Sequence, residues 1–277
     1  MPARLTFAAL TFATVLPMQA FAGADPAQVD SLYEAMSLDE LLIIMREEGL
    51  EYGEQIATDL FPGRNSTQWD RLVGEIYAVE TMKTTVQTGL AEALDGADMD
   101  SIIGFFEGDL GKQIIALEVS ARLALMDEAV EEASKEAAAL ALIDETPRAG
   151  LVTEFVETND LVETNVVGAM NANYAFYVGL LDGGGLAGAL SQDDILADVW
   201  SQEAEIRQNT TEWVYSYLLM AYQPLSDDDL QSYIDFSKTE PGEDINAALF
   251  AAFDTMFENI SEALGRAAST QMVGDEL

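Results

Sequence analysis

Slid by 131 positions, this chain lies over itself. LDGADMDSIIGFFEGDLGKQIIA (94–116) meets LSDDDLQSYIDFSKTEPGEDINA (225–247) without a gap. Leu94 falls on Leu225, Asp98 on Asp229, Ser101 on Ser232 and Ile103 on Ile234. Phe105 falls on Phe236, Gly111 on Gly242, Ile114 on Ile245 and Ala116 on Ala247, and Trp69 meets Trp200 in the same register. Polar, apolar and glycine positions kept together over such a length imply one supersecondary unit used twice. The unit is helical. Trp69, Leu72, Val73, Ile76, Met82, Val86, Leu90 and Leu94 recur at helical spacing, as do Ile103, Phe106, Leu110, Ile114, Leu117, Ala121 and Leu125. Runs of alternating β-branched residues are missing. The expectation is an all-α fold, ~70% helix, in which two related helical halves pack together with little or no β-sheet.

Helix starts and stops divide the chain. Asp25-Pro26 places a cap before a proline, and Ser37-Leu38-Asp39-Glu40 has the form of a capping box. Ser191-Gln192-Asp193-Asp194 reads as another start. Breaks are expected at Pro62-Gly63, Asp95-Gly96, Thr146 to Gly150, Asp182 to Gly185 and Gln223-Pro224. The first unit is placed at 23–145, the second at 151–270, and a frayed tail at 271–277. The copies align less well before position 94 and its counterpart, and the second carries extra residues around LLDGGGLAGALSQDD (180–194). Ahead of the first unit, Arg4 precedes an apolar run of about a dozen residues, too short to span a bilayer. Ala20-Phe21-Ala22 follows with the small-x-small form of a signal-peptidase site. Residues 1–22 are read as a signal peptide, and the mature protein as periplasmic or secreted, with no stable membrane insertion.

The repeat settles one suspicious motif. GDLGK (108–112) looks like a phosphate loop, but the first glycine position of that motif is Phe106 and the hydroxyl position is Gln113. In the second copy Lys112 becomes Glu243. What persists is an aromatic, a corner and a glycine: Phe105 with Gly111, Phe236 with Gly242. Asp109 and Glu240 stand where a negative charge meets a helix N-terminus, and a glycine lets two helices approach. The order of leucine, acidic helix start, Phe-Tyr-x-Ser-Pro-x-Gly and amphipathic helix resembles the bacterial domain of unknown function 2059. FFEGDLG resembles it with Gly108 for Ser and Asp109 for Pro; FSKTEPG resembles it with Thr239 for Ser and its proline displaced to Pro241. The resemblance implies an exported helical protein in two diverged copies and supplies no catalytic residues.

Composition removes whole chemistries. The chain has no cysteine and no histidine, which excludes Ser-His-Asp and Cys-His catalysis, histidine-type zinc ligation and disulfide stapling. Its 50 acidic and 12 basic residues leave a formal charge of −38, which repels nucleic acid and anionic lipid. No cofactor or metal site is read. Asp127, Glu128, Glu131, Glu132 and Glu136, with Lys135 among them, form an acidic helix face that suits solvation better than a calcium site, since hard cations want converging ligands from a loop. Ser226-Asp227-Asp228-Asp229 reads as a cap with first-turn acids. Tyr174, Phe176 and Tyr177 lie on a helix apolar nearly all round, which suits a central helix or an aromatic groove for a protein or small-molecule partner. The functional expectation is a non-enzymatic protein that binds an envelope component or a partner. A hydrolase using a pair of carboxylates is the alternative, and no particular pair stands out among the acids.

Overall fold

The computed structural model describes residues 23–62, 67–185 and 191–273. Thirteen helices are described: α1 (Pro26–Ala35), α2 (Leu38–Leu60), α3 (Thr67–Ile76), α4 (Val79–Ala93), α5 (Met99–Glu107), α6 (Asp109–Ala124), α7 (Glu128–Ile143), α8 (Pro147–Thr158), α9 (Leu161–Asp182), α10 (Gln192–Ser201), α11 (Glu203–Ala221), α12 (Asp227–Ser237) and α13 (Glu240–Val273). There is no strand among the described residues. About 85% of them are helical, above the ~70% expected, because most connections are only a few residues long.

Several boundaries differ from the sequence reading. The periodic run from Trp69 to Leu94 is two helices, broken at Tyr77 and Ala78. Arg46 on α2 compensates by donating to the carbonyls of Gly74 and Tyr77 at 3.0 and 3.2 Å, which satisfies the open C-terminal end of α3. Ser37 does not form a capping box. It takes a left-handed conformation at φ 49° and makes no side-chain cap. The full box forms at Ser191, whose hydroxyl accepts from the Asp194 N–H while the Asp194 carboxylate accepts from the Ser191 N–H. Residues 147–150 are the first turn of α8, capped by Thr146, so the mid-chain break sits just before Pro147. A break that sequence reading missed separates α8 from α9 at Asp160, again at φ 49°. The first residues of the segment expected as a frayed tail continue α13 to Val273. Of the residues around 180–194, those at 186–190 lie outside the described residues, as do Gly63 and the whole leader at 1–22.

Packing is ordered by two buried clusters. The larger gathers α1 to α5 around Leu32, Leu42, Trp69, Leu90 and Ile102, and it takes in Ala252, Met256 and Leu264 of α13. The smaller gathers α8, α11 and α12 around Val152, Leu218, Tyr222 and Ile234, and it takes in Ile114 and Ala121 of α6. Thus α13 packs into the cluster built by the early helices, and α6 into the cluster built by α8, α11 and α12. α13 runs along both α4 and α9. Its approach to α9 uses glycine on both sides: a Cβ on Gly179 would stand 2.9 Å from the Arg266 nitrogen, and one on Gly265 2.9 Å from the Leu180 nitrogen.

The two corners have matching geometry. Gly111 and Gly242 are both buried in the first turn of their helices. A Cβ on Gly111 would stand 2.6 Å from the Phe106 Cα, and one on Gly242 2.8 Å from the Ser237 Cα. The rings of Phe105 and Phe236 stack on one another, centroids 3.8 Å apart and nearly parallel at 6°. Trp69 and Trp200, matched by register, differ in environment: Trp69 is buried and donates to the Gly53 carbonyl, whereas Trp200 is 62% exposed.

Candidate functional site

Where the two clusters meet they leave a cavity of about 600 Å³, within the range of small-molecule sites. Its wall is mostly apolar and aromatic. Met36 comes from the end of α1, Leu41 and Met45 from α2, Phe155 from α8, Leu161, Gly168, Ala169 and Ala172 from α9, and Leu249, Phe250, Phe253 and Phe257 from α13. Residues more than two hundred positions apart meet there.

One end of the wall is polar. Glu118 lies on the apolar stripe of α6, four residues after Ile114 and three before Ala121, so it is carried inward with them. Tyr222 donates to its Oε1 at 2.7 Å, and the Tyr217 hydroxyl donates to its backbone carbonyl at 3.2 Å. Burial pushes the Glu118 carboxyl up to about 7, against a smaller downward pull from the Tyr222 hydrogen bond. One turn further on, Arg122 also lines the cavity but is paired with another acid. Its Nε and Nη2 bind the two oxygens of Glu48 at 2.7 and 2.6 Å, and its guanidinium lies 4.9 Å from the Trp213 ring centroid. Trp213 in turn stacks on Tyr217 at 5.0 Å and 12°. Tyr233 packs against Phe155 at 4.8 Å and against Tyr222 at 6.2 Å. Burial also pushes the hydroxyls of Tyr217, Tyr222 and Tyr233 well above the ordinary tyrosine range, with the Glu118 charge adding to it, so all three stay protonated.

Asp254, on α13 against Gly168, is a second acid in the wall. Burial first and the neighbouring Glu258 second raise its carboxyl above the usual range. The other polar groups of the wall are already engaged. The amide nitrogens of Asn159, Asn165 and Asn246 donate to the carbonyls of Phe155, Leu161 and Asn159, and the Ser237 hydroxyl donates to the Tyr233 carbonyl.

The corner residues border this site unequally. Phe236 and Gly242 line the cavity, while Phe105 stacks on Phe236 from α5 and Gly111 lies in the first turn of α6. Tyr174, Phe176 and Tyr177 do not line it. Phe176 and Tyr177 are half-buried against the larger cluster, Tyr177 donates to Asp198 at 2.8 Å, and Tyr174 is half-buried on the same helix. The acidic face of α7 is a capped helix: Asp127 accepts from the Ala129 and Val130 N–H groups, and Lys135 pairs with Glu131 and Glu132 at 3.0 and 3.4 Å. Asp227 pairs with Arg148 and Ser226 caps α12. Among the described residues no group of three acids is arranged to hold a metal ion, and no helix is long and apolar enough to cross a membrane. Sequence reading missed Glu118 and Asp254. The available signal was an acid at a position where the helical stripe calls for an apolar residue.

Residues 80–139, spanning nearly all of α4 through most of α7, match the family model described as an uncharacterized protein conserved in bacteria, DUF2059. This stretch, which carries Phe105, Gly111, Glu118 and Arg122, matches one copy of that bacterial domain of unknown function. No curated protein and no solved structure matches the chain.

Proposed function

We propose that this chain, with its DUF2059 domain at 80–139, is an exported, non-catalytic protein that holds an apolar small molecule between its two halves. The single observation that carries the reading is the aromatic-walled cavity at the meeting of the two cores. Export rests on the leader pattern at 1–22. Binding is favoured over hydrolysis by the state of the wall. A sugar or peptide needs many hydrogen-bonding partners, and here the wall is mostly apolar and the amide nitrogens of Asn159, Asn165 and Asn246 each already donate to a backbone carbonyl. Removing apolar ligand surface from water contributes about 25 cal/mol per Å², which suits this lining.

The test is a neutral environment-sensitive dye such as N-phenyl-1-naphthylamine. Wild type is expected to bind it saturably at one site. Ala172→Phe places a ring in the cavity and is expected to weaken binding at least tenfold while melting near the wild-type temperature. Undiminished dye binding by that variant, or no binding by wild type, sinks the reading.

We also read the two halves as copies of one unit, α1–α6 and α8–α13, with α7 between them. Several features support this. Pro26 and Pro147 open α1 and α8, and left-handed Ser37 and Asp160 join those helices to the long α2 and α9. α1 packs on α5 as α8 packs on α12, and α6 crosses to α11 as α13 crosses to α4. Gln28 donates to Asp100 in the first turn of α5, and Arg148 pairs with Asp227 in the first turn of α12.

A further inference from the structure

We propose that the polar end of the cavity takes the head of a lipophilic organic cation, an alkylammonium whose apolar tail fills the rest. The inference rests on the binding reading above and specifies the class of ligand. Three features of the geometry support it. First, among the described residues Glu118 has no ion pair: its carboxyl accepts a hydrogen bond from the Tyr222 hydroxyl. The nearest candidate on its own helix, Arg122, is held by both oxygens of Glu48, so its charge is already matched. Second, the wall beside Glu118 is rich in aromatic rings. Tyr222, at the end of α11, donates to the carboxyl, Tyr217 of α11 donates to the Glu118 backbone carbonyl, and Tyr233 from α12 packs on Tyr222. Ring faces attract an ammonium through their quadrupole, most strongly where water is excluded. Third, the only other acid in the wall, Asp254, also has no hydrogen bond or ion pair among the described residues, and the chain as a whole carries −38. An alkyl carboxylate or sulfate would meet two acids of the cavity wall in a negative field.

Glu118 is also poised to change state. Burial holds its carboxyl near 7 in the free protein, and a bound ammonium favours the ionised form. The groups that face it are Tyr217 and Tyr222 on the α11 side, Tyr233 on α12, and Arg122 with Glu48 on the α6 and α2 side.

The experiment compares three ligands with the same ten-carbon tail: decyltrimethylammonium, decanol and decanoate. Each is titrated against the full chain by calorimetry or by dye displacement. The cation is expected to bind about tenfold tighter than the alcohol, and the carboxylate more weakly than the alcohol. In Glu118→Gln the ratio of cation to alcohol affinity is expected to fall to near one. A second measurement needs no variant. The wild-type ratio should persist when sodium chloride is raised from about 0.05 to about 0.5 M, because a buried pair is screened far less than surface charge. If decanol binds but the cation gains nothing over it, the ligand class is wrong and the binding reading stands. A cation advantage that survives Glu118→Gln, or disappears in salt, belongs to the acidic surface and overturns the inference. If none of the three binds, the binding reading falls and takes the ligand class with it.

Discussion

Glu118 shows how one residue can carry a site and a cost together. Its helix would be more stable with an apolar side chain there, since a buried carboxylate loses its hydration and keeps only one hydroxyl partner. The sign of the resulting pH effect follows from the shift. An unfolded glutamate loses its proton near 4.5, and this one near 7. Between those values the folded state holds the extra proton, so stability contributed by this group falls as pH rises and the loss is complete above about 7. The difference is worth ~3 kcal/mol. Glu118→Gln removes it. Denaturant melts of both proteins at pH 5 and pH 8 should show the variant gaining on wild type by about that amount at the higher pH. Parallel pH profiles would mean that the carboxyl is ordinary in the folded chain. Asp39, Asp98 and Asp194, held below the usual range by hydrogen bonds from Lys83, Ser101 and Ser191, act in the opposite sense and at lower pH, and they are common to both proteins.

The helix-corner-helix element has a requirement that is steric and local. Gly111 and Gly242 face the backbone of the helix before them, where even a Cβ has no room. Gly242→Leu and Gly111→Leu should therefore cost similar amounts, ~1–3 kcal/mol each, a few degrees of melting temperature. Lys112→Ala should change stability by less than about 0.5 kcal/mol, because the side chain is exposed and makes no ion pair among the described residues. Gly104→Ala, on the open face of α5, should be neutral or slightly stabilising, since nothing lies within 4 Å of the new Cβ. Calorimetry on the four variants checks the set. A tolerant Gly242→Leu beside a damaging Lys112→Ala would reverse the assignment of the corner. At this scale the sequence was easy to read. The glycine, the acid behind it and the aromatic before it are neighbours in the chain, and the physics that joins them acts over one helical turn. The break between α3 and α4 was not legible, because Arg46, which satisfies the freed carbonyls, arrives from another helix.

For the whole molecule, charge is the dominant surface property. Every described lysine or arginine except Arg46 and Lys112 holds an ion pair, and Arg46 is spent on backbone carbonyls. The cations are thus consumed internally and the excess of acids faces solvent. Self-repulsion opposes the compact state, and salt screens charges separated by more than ~10 Å at 0.1 M. Melting temperature should rise as sodium chloride goes from about 0.02 to 0.2 M. Calcium chloride at matched ionic strength should add no more than a degree or two beyond that. A rise of roughly ten degrees specific to calcium would reveal a divalent site.

Helices, corners and the acidic surface were determined by the sequence alone, because each depends on residue type and on spacing within a turn or two. The matching corners were visible for the same reason: equal local demands leave equal residues at equal spacing. The cavity was decided by tertiary structure. Its wall is drawn from most of the described helices, and α6 and α13 reach it because each packs into a cluster built mainly by helices distant in sequence. Glu118 and Tyr222 are separated by 104 positions and share a 2.7 Å hydrogen bond. No local pattern encodes that distance; it follows from how the two hydrophobic clusters pack against each other and from the space they leave unfilled.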